Sequence, residues 1–367
     1  MSRVSWREKV EGRTILVTGG AGFIGSRVAR FLASHFPAAH VIAMDNLRRR
    51  GAELNLDALG TAHVEFLHGD VRVPDDFPQP QYPIALIVDC SADPSVHAGT
   101  TGGTRFVVDT NLIGTVNCLE LAKHSRADLV FLSTSRVYPI GRLNEIAVEE
   151  TPTRFALAAR QVLNGVSAEG VSEAFDLSGV RSLYGATKLA SEMLIAEYAS
   201  LYDLRFVINR CGVVTGPGQF GKVEQGVFSL WMARHFFGEP LTYRGWGGTG
   251  KQVRDFVHVD DLCELLAVQL NRWDQIAGRT YNVGGGRPLS LSLRECTDLC
   301  REITGREVPI GSDPDTSPLD VRTYVTDGSR VTSDTGWRPR MSGRDTLLQI
   351  YEWLQDDAGR LRAVFHA

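Results

Sequence analysis

Thr14-Ile15-Leu16-Val17-Thr18-Gly19-Gly20-Ala21-Gly22-Phe23-Ile24-Gly25 runs from a string of apolar β-formers directly into glycines at every third position. Ile15, Leu16 and Val17 are the residues of a parallel strand covered on both faces. Gly19, Gly22 and Gly25 then allow a tight turn, a close approach of backbone N–H groups to a pyrophosphate, and a helix lying near the strand. That helix places Val28, Phe31 and Leu32 on one face, and its positive N-terminal end points at the turn. A second strand, His40-Val41-Ile42-Ala43-Met44, ends in Asp45, about twenty residues beyond Gly25, where an acid reaches an adenosine ribose. Asp45 bonds a 2′-hydroxyl and repels a 2′-phosphate, so the expected cofactor is NAD rather than NADP. The run Arg48-Arg49-Arg50 just past the strand could hold such a phosphate, against that inference, and is read first as a solvated loop.

The 367 residues can bury one large core or two adjoining ones. With 43% hydrophobic residues, 22% charged and a net charge of −4, the chain carries no signature of nucleic-acid or anionic-membrane binding. Met1 to Val10 contains no apolar run of signal-peptide length, and no segment approaches the roughly 20 apolar residues of a membrane span. A cytoplasmic location is expected. The six cysteines are scattered; Cys296 and Cys300 are four apart without a histidine pair to complete a zinc site. They are read as reduced core thiols, and no metal is expected.

From residue 12 to about 140, strands and helices alternate as a doubly wound parallel sheet requires. Val64–His68 is a third strand, followed by Asp70, which can accept from an adenine amino group. A fourth, Ile84–Cys90, ends in the small residues Ser91 and Ala92, which leave room for the cofactor. A helix from about Val107 to His124 carries Asn111, and Leu129–Leu132 leads to Ser133-Thr134-Ser135 at the crevice. Residues 141 to about 182 lack a clean period and are read as a surface excursion. A helix then begins at Leu183 with Tyr184 and Lys188 four apart on one face. Arg205–Arg210 is a sixth strand. The expected division is an NAD-binding Rossmann α/β domain over 1–211, then a smaller substrate-binding α/β domain over 212–367, interleaved with the last sheet strands.

Tyrosine is a poor base, with a reference pKa near 10. A lysine ammonium one turn away and an oxidised nicotinamide ring both lower it, so a phenolate can take an alcohol proton while hydride leaves the same carbon. Thr134 would hold the substrate oxygen. The turn 18–25, Asp45-Asn46, Gly69-Asp70-Val71, Asn111, Ser133-Thr134, Tyr184-Gly185-Ala186-Thr187-Lys188, Gly216-Pro217-Gly218, Arg254-Asp255, His258-Val259-Asp260-Asp261 and Tyr281-Asn282-Val283-Gly284-Gly285 together resemble the extended short-chain dehydrogenase/reductase family, in its nucleotide-sugar epimerase/dehydratase branch. The resemblance implies Thr134, Tyr184 and Lys188 as the catalytic trio. It implies cofactor contacts at Gly19, Gly22, Phe23, Ile24, Gly25, Asp45, Asn46, Asp70, Val71, Cys90, Ser91, Ala92 and Asn111, besides Tyr184 and Lys188. It further implies a nucleotide sugar in the C-terminal part and a homodimer through the helices of Asn111 and Lys188.

Dehydratases of this branch follow the catalytic threonine with an Asp-Glu pair, where this chain has Ser135-Arg136. Neither is a proton shuttle, so reversible oxidation and epimerisation are expected. The segments 209–226 and 250–255 resemble the CDP-paratose (CDP-tyvelose) 2-epimerases, which implies Arg254 and Arg322 at the diphosphate and Gln219 and Gln225 at sugar or base. Asp89 and Asp93 stand where histidine and a neutral residue are commoner. The alternatives are a 4-epimerase or 4-ketoreductase on a UDP- or dTDP-sugar and a non-catalytic NAD-sensing regulator.

Overall fold

The computed structural model describes residues 6–79, 81, 83–100, 102–221 and 226–365. Strand β1 (Thr14–Thr18) is flanked by β2 (His40–Asp45) and β4 (Ile84–Asp89); β3 (Glu65–His68), β5 (Asp128–Thr134), β6 (Phe206–Cys211) and β7 (Arg279–Val283) complete a parallel sheet in the order β3-β2-β1-β4-β5-β6-β7. The order reverses between β1 and β4, which opens a crevice at their carboxyl ends. Helices cover both faces, as the uninterrupted apolar strands require. Ile15 and Val17 pack into one layer and Leu16 into the other, all fully buried. Each such side chain contributes on the order of 1.5–3 kcal/mol by leaving water.

On the first face lie α1 (Phe23–His35) and α4 (Val259–Asn271), tied by Arg27, whose Nε and Nη2 donate to Asp260 Oδ1 and Oδ2 at 2.5 and 2.7 Å. On the other lie α2 (Gly114–Ser125) and α3 (Leu183–Tyr202). The helix read over Val107–His124 is three pieces, because Asp109–Ile113 widens into a π-turn between Thr104–Val108 and α2.

A second sheet joins Val213–Thr215, Val253–His258, Ser290–Ser292 and Thr323–Tyr324. Helices Val227–Phe237, Leu293–Thr304 and Gly343–Asp356 enclose their own core around Trp231, Met232, Ile350 and Leu354, with Cys296 and Cys300 buried as free thiols. The chain returns from this part through α4 and β7 to the first sheet. Among the described residues no helix is long and apolar enough to cross a membrane.

Residues 141–182 are not a surface excursion. They form two short hairpins, Val148–Glu150 with Phe155–Leu157 and Val166–Ser167 with Gly170–Val171. Leu143, Ile146, Val171 and Phe175 are buried against Val137, Tyr138, Val321 and Tyr324. Backbone bonds seal the contact: Val171 N–H donates to Val325 O (2.8 Å) and Asp327 N–H to Val171 O (2.9 Å). The segment has no helical or strand period because it packs in strands of two and three residues against a distant part of the chain.

Candidate active site

One cavity of about 1030 Å³ runs from the glycine turn, past the ends of β4 and β5, to the second sheet. At its first end Gly22 N–H donates to Gly19 O (3.0 Å), closing the turn. A Cβ on Gly25 would overlap the Gly19 carbonyl oxygen, so only glycine lets α1 start this close. The first-turn N–H groups of α1 carry no side-chain cap, leaving donors and the positive helix end facing the cavity. Asp45, the last residue of β2, accepts from Ala21 N–H (3.1 Å) and Leu47 N–H (2.8 Å), one on each oxygen. Each oxygen keeps a lone pair for a ribose hydroxyl. Burial raises the Asp45 pKa, and the backbone bonds act against that rise. This donor set fits a dinucleotide with an unphosphorylated ribose.

Past the turn, β4 delivers Asp89, a fully buried carboxylate. Oδ1 accepts from the Thr18 hydroxyl (2.8 Å) and from the hydroxyl (2.6 Å) and N–H (3.1 Å) of Ser91, and Oδ2 from the Thr115 hydroxyl (3.1 Å). Those bonds fix the Cys90-Ser91-Ala92 wall, whose three residues all line the cavity. Thr134 ends β5, and its oxygen accepts from Arg136 N–H (3.1 Å). The first turn of α3 brings Tyr184 beside the Thr134 hydroxyl, and both line the cavity. One turn on, Lys188 is 2% exposed, with its Nζ 3.5 Å from Ser91 O and 4.2 Å above the Phe131 ring. Burial lowers the Lys188 pKa, while Asp89 acts to raise it. A second turn on, Glu192 accepts from the Ser133 hydroxyl (2.5 Å) and from Arg210 Nη2 (2.7 Å), locking α3 to β5 and β6.

Burial pushes the Tyr184 phenol up to about 12, with the Thr134 hydroxyl and the Arg136 charge acting to lower it. The Lys188 ammonium points at the Ser91 carbonyl.

The model of the NAD dependent epimerase/dehydratase family matches residues 15–284. The chain belongs to this family. It is 30% identical over 354 residues to the CDP-paratose 2-epimerase of Salmonella typhi, covering 92% of this chain and 98% of that protein. Among solved structures, the UDP-glucose 4-epimerase of Thermotoga maritima, crystallised with UDP-glucose, matches with a TM-score of 0.74 at 25% identity, over 94% of this chain and 99% of that one. The UDP-glucose 4-epimerase of Thermus thermophilus, in complex with NAD, matches with a TM-score of 0.74 at 25% identity, over 93% and 99%. The protein is therefore an enzyme of the NAD dependent epimerase/dehydratase family, and NAD is its cofactor.

In this family member the cavity gathers Gly19, Gly22, Phe23, Ile24, Gly25, Asp45, Asn46, Val71, Cys90, Ser91, Ala92, Thr134, Tyr184, Lys188, Gln219 and Arg254. Three expected residues stand elsewhere. Asp70 is absent from the lining, because its carboxylate is taken by Arg72 (Nη2–Oδ2 2.6 Å) and Asn46 (Nδ2–Oδ2 2.9 Å). Asn111, fully buried in the π-turn, stands behind the wall; its side chain accepts from Asp93 N–H (2.7 Å) and donates to Asp93 O (3.1 Å) and Thr187 Oγ1 (3.2 Å). Those bonds position the strand-end loop. Arg322 turns away, donating through Nη2 to the carbonyls of Asn144 (3.3 Å) and Ile146 (3.2 Å).

Gln219 lines the cavity but its amide staples its own loop, donating to Val214 O (2.8 Å) and accepting from Thr215 and Ser229 hydroxyls (2.9 Å each). Gln225 lies outside the described residues. In the arginine run Arg48 and Arg50 are exposed, as a solvated loop would have them, yet all three residues line the cavity, Arg48 lies 4.1 Å above the Phe106 ring, and Arg49 Nη2 donates to Phe220 O (3.2 Å). Arg136, marked in the sequence only as a departure, lines the cavity beside Tyr184 and Arg254.

Proposed function

We propose that this enzyme is a nucleotide-sugar epimerase acting at C2 of a CDP-hexose of the paratose/tyvelose type. The observation that carries the reading is the wall after Thr134. The two hydroxyls that handle an alcohol oxygen are present, while the next two positions hold Ser135 and Arg136, neither able to move a carbon-bound proton at neutral pH. That leaves oxidation and re-reduction at one carbon. The similarity to a CDP-paratose 2-epimerase along almost the whole chain supports the choice of base and carbon.

The glycine turn, Asp45 and Lys188 would hold NAD, which when bound would supply a hydride acceptor and then a hydride donor for the sugar carbon. Thr134 holds the sugar hydroxyl against Tyr184. The tyrosinate takes the hydroxyl proton as the carbonyl forms and returns it when the carbonyl is reduced on its other face. Over the cycle one C–H and one O–H bond are broken and remade, and the product is an epimer. Lys188 and Asp89 keep a positive charge and an ordered wall behind the reacting centre.

A second reading, a 4-epimerase or 4-ketoreductase on a UDP- or dTDP-sugar, is favoured by the match to the UDP-glucose 4-epimerases. Incubation of the protein with CDP-, UDP- and dTDP-hexoses in deuterated water, followed by NMR, separates the two. Inversion at C2 with the original hydrogen retained is expected. Inversion at C4, or net consumption of NADH, would support the second reading. We also propose a homodimer through the Asp109–Ile113 turn and α3, where Ile113, Met193, Leu201 and Tyr202 are exposed.

A further inference from the structure

Arg136 is fixed at its backbone and under-employed at its guanidinium. Its N–H donates to Thr134 Oγ1 (3.1 Å), and its carbonyl packs so closely on Gly185 that a Cβ there would overlap it. It is therefore anchored to both catalytic hydroxyl residues. Its side chain enters the cavity, where the hydrogen bond it makes among the described residues is a long one, Nη1 to Leu319 O at 3.4 Å. A guanidinium offers five donors, and this half-buried one, facing the cavity with one long hydrogen bond among the described residues, has donors free for an anion.

Arg254 leans on the same short segment, through Nη2 to Val321 O (2.5 Å) and to Asp320 Oδ1 (3.1 Å). That Asp320 oxygen also accepts from Val321 N–H (2.9 Å). Two half-buried guanidinium groups thus face one cavity, each repelling the other, with Asp320 acting on both and Asp255 on Arg254. Arg322, the second arginine expected at the diphosphate, is engaged with carbonyls outside the cavity.

We infer that Arg136 grips the phosphate on the sugar's anomeric carbon, that Arg254 shares the same diphosphate, and that the carbon held at Tyr184 is consequently C2. This rests on the nucleotide-sugar reading and narrows it. The step to C2 is stereochemical. An arginine anchored between Thr134 and Tyr184 reaches the anomeric phosphate when the reacting hydroxyl is on the adjoining carbon. With C4 at Tyr184 the whole pyranose ring stands between the hydroxyl and that phosphate.

The test uses NAD-loaded protein titrated calorimetrically with CDP against CMP and UDP against UMP. The terminal phosphate of the diphosphates takes the place of the glycosyl phosphate. The wild type is expected to bind the better diphosphate about tenfold or more tightly than its monophosphate, the worth of one charge-assisted contact. Arg136→Gln should lose most of that preference and Arg136→Lys keep part of it. Without ligand, Arg136→Gln should melt no lower than the wild type, since it removes one long hydrogen bond and the repulsion from Arg254. A diphosphate preference undiminished in Arg136→Gln overturns the inference, including the case where only sugars bearing a carboxylate lose affinity. Failure of both diphosphates to bind the wild type would instead refute the nucleotide-sugar reading beneath it. In a second arm, substrates deuterated at C2 or C4 are turned over. A primary isotope effect at C2 is expected; one at C4 overturns the carbon assignment while leaving the nucleotide-sugar reading intact.

Discussion

Tyr184 sits at the meeting point of three forces: burial that holds its phenol at about 12, the Thr134 hydroxyl, and the Arg136 charge. Removing the hydroxyl alone takes away the proton acceptor and leaves the glycine turn, Asp45 and Lys188 in place. Tyr184→Phe is expected to retain bound NAD and to lose turnover by about 10²–10⁴-fold, the usual range for a positioned acid or base; absorbance of NAD released on denaturation and an epimerisation assay check the two halves. Thr134, Tyr184 and Lys188 were legible in the sequence because the order of strand end and helix start brings them together whatever the details. Arg322 and Arg136 were not. A long side chain can swing either into a cavity or onto nearby carbonyls, and the carbonyls of Asn144 and Ile146 that hold Arg322 come from 141–182, a segment without periodicity.

The elements most readable in advance were those with a local cause: the apolar strands, the glycine turn and α3. Those whose cause is distant were misread, as with the π-turn, where Asn111 meets Asp93 and Thr187, and the hairpins that pair with Val325 and Asp327. The strand Val253–His258 also carries a testable strain. Asp255 on it is fully buried, with Oδ2 accepting from Gly286 N–H at 3.0 Å. Burial raises its carboxyl from 3.8 to about 6. A folded-state pKa above the unfolded one means that the native state loses stability as pH rises through that interval. Asp255→Asn removes the charge, so it should melt about 2–4 °C higher than the wild type at pH 8, with the gain shrinking below pH 6 and gone below 3.8. Calorimetric melts across that range check it; a gain that persists at low pH would point to packing rather than charge.

At the scale of the molecule, the two sheets share one chain that crosses between them repeatedly, and the cavity is walled by both. Cofactor residues come from the first sheet, Arg254 from the second, and Arg136 from the junction, so holding NAD and reading the nucleotide sugar are properties of one joined wall. The outer face of α3 leaves Met193 66% and Leu201 67% exposed, with Ile113 of the π-turn 40% exposed, the apolar surface that the proposed dimer would cover. Met193→Glu with Leu201→Glu should convert a dimer to a monomer in sedimentation while NAD stays bound. An unaltered sedimentation coefficient would remove these helices as the interface.

The central claim is that one carbon of the sugar is oxidised and reduced again without net consumption of cofactor. Mixing NAD-loaded protein with the nucleotide sugar it turns over, and following nicotinamide fluorescence through a single turnover, reads this directly. The signal of the reduced ring should rise and then return to baseline as epimer appears, and stay flat in Tyr184→Phe. Reduced nicotinamide that accumulates and persists, or epimer formed with no transient at all, would contradict it.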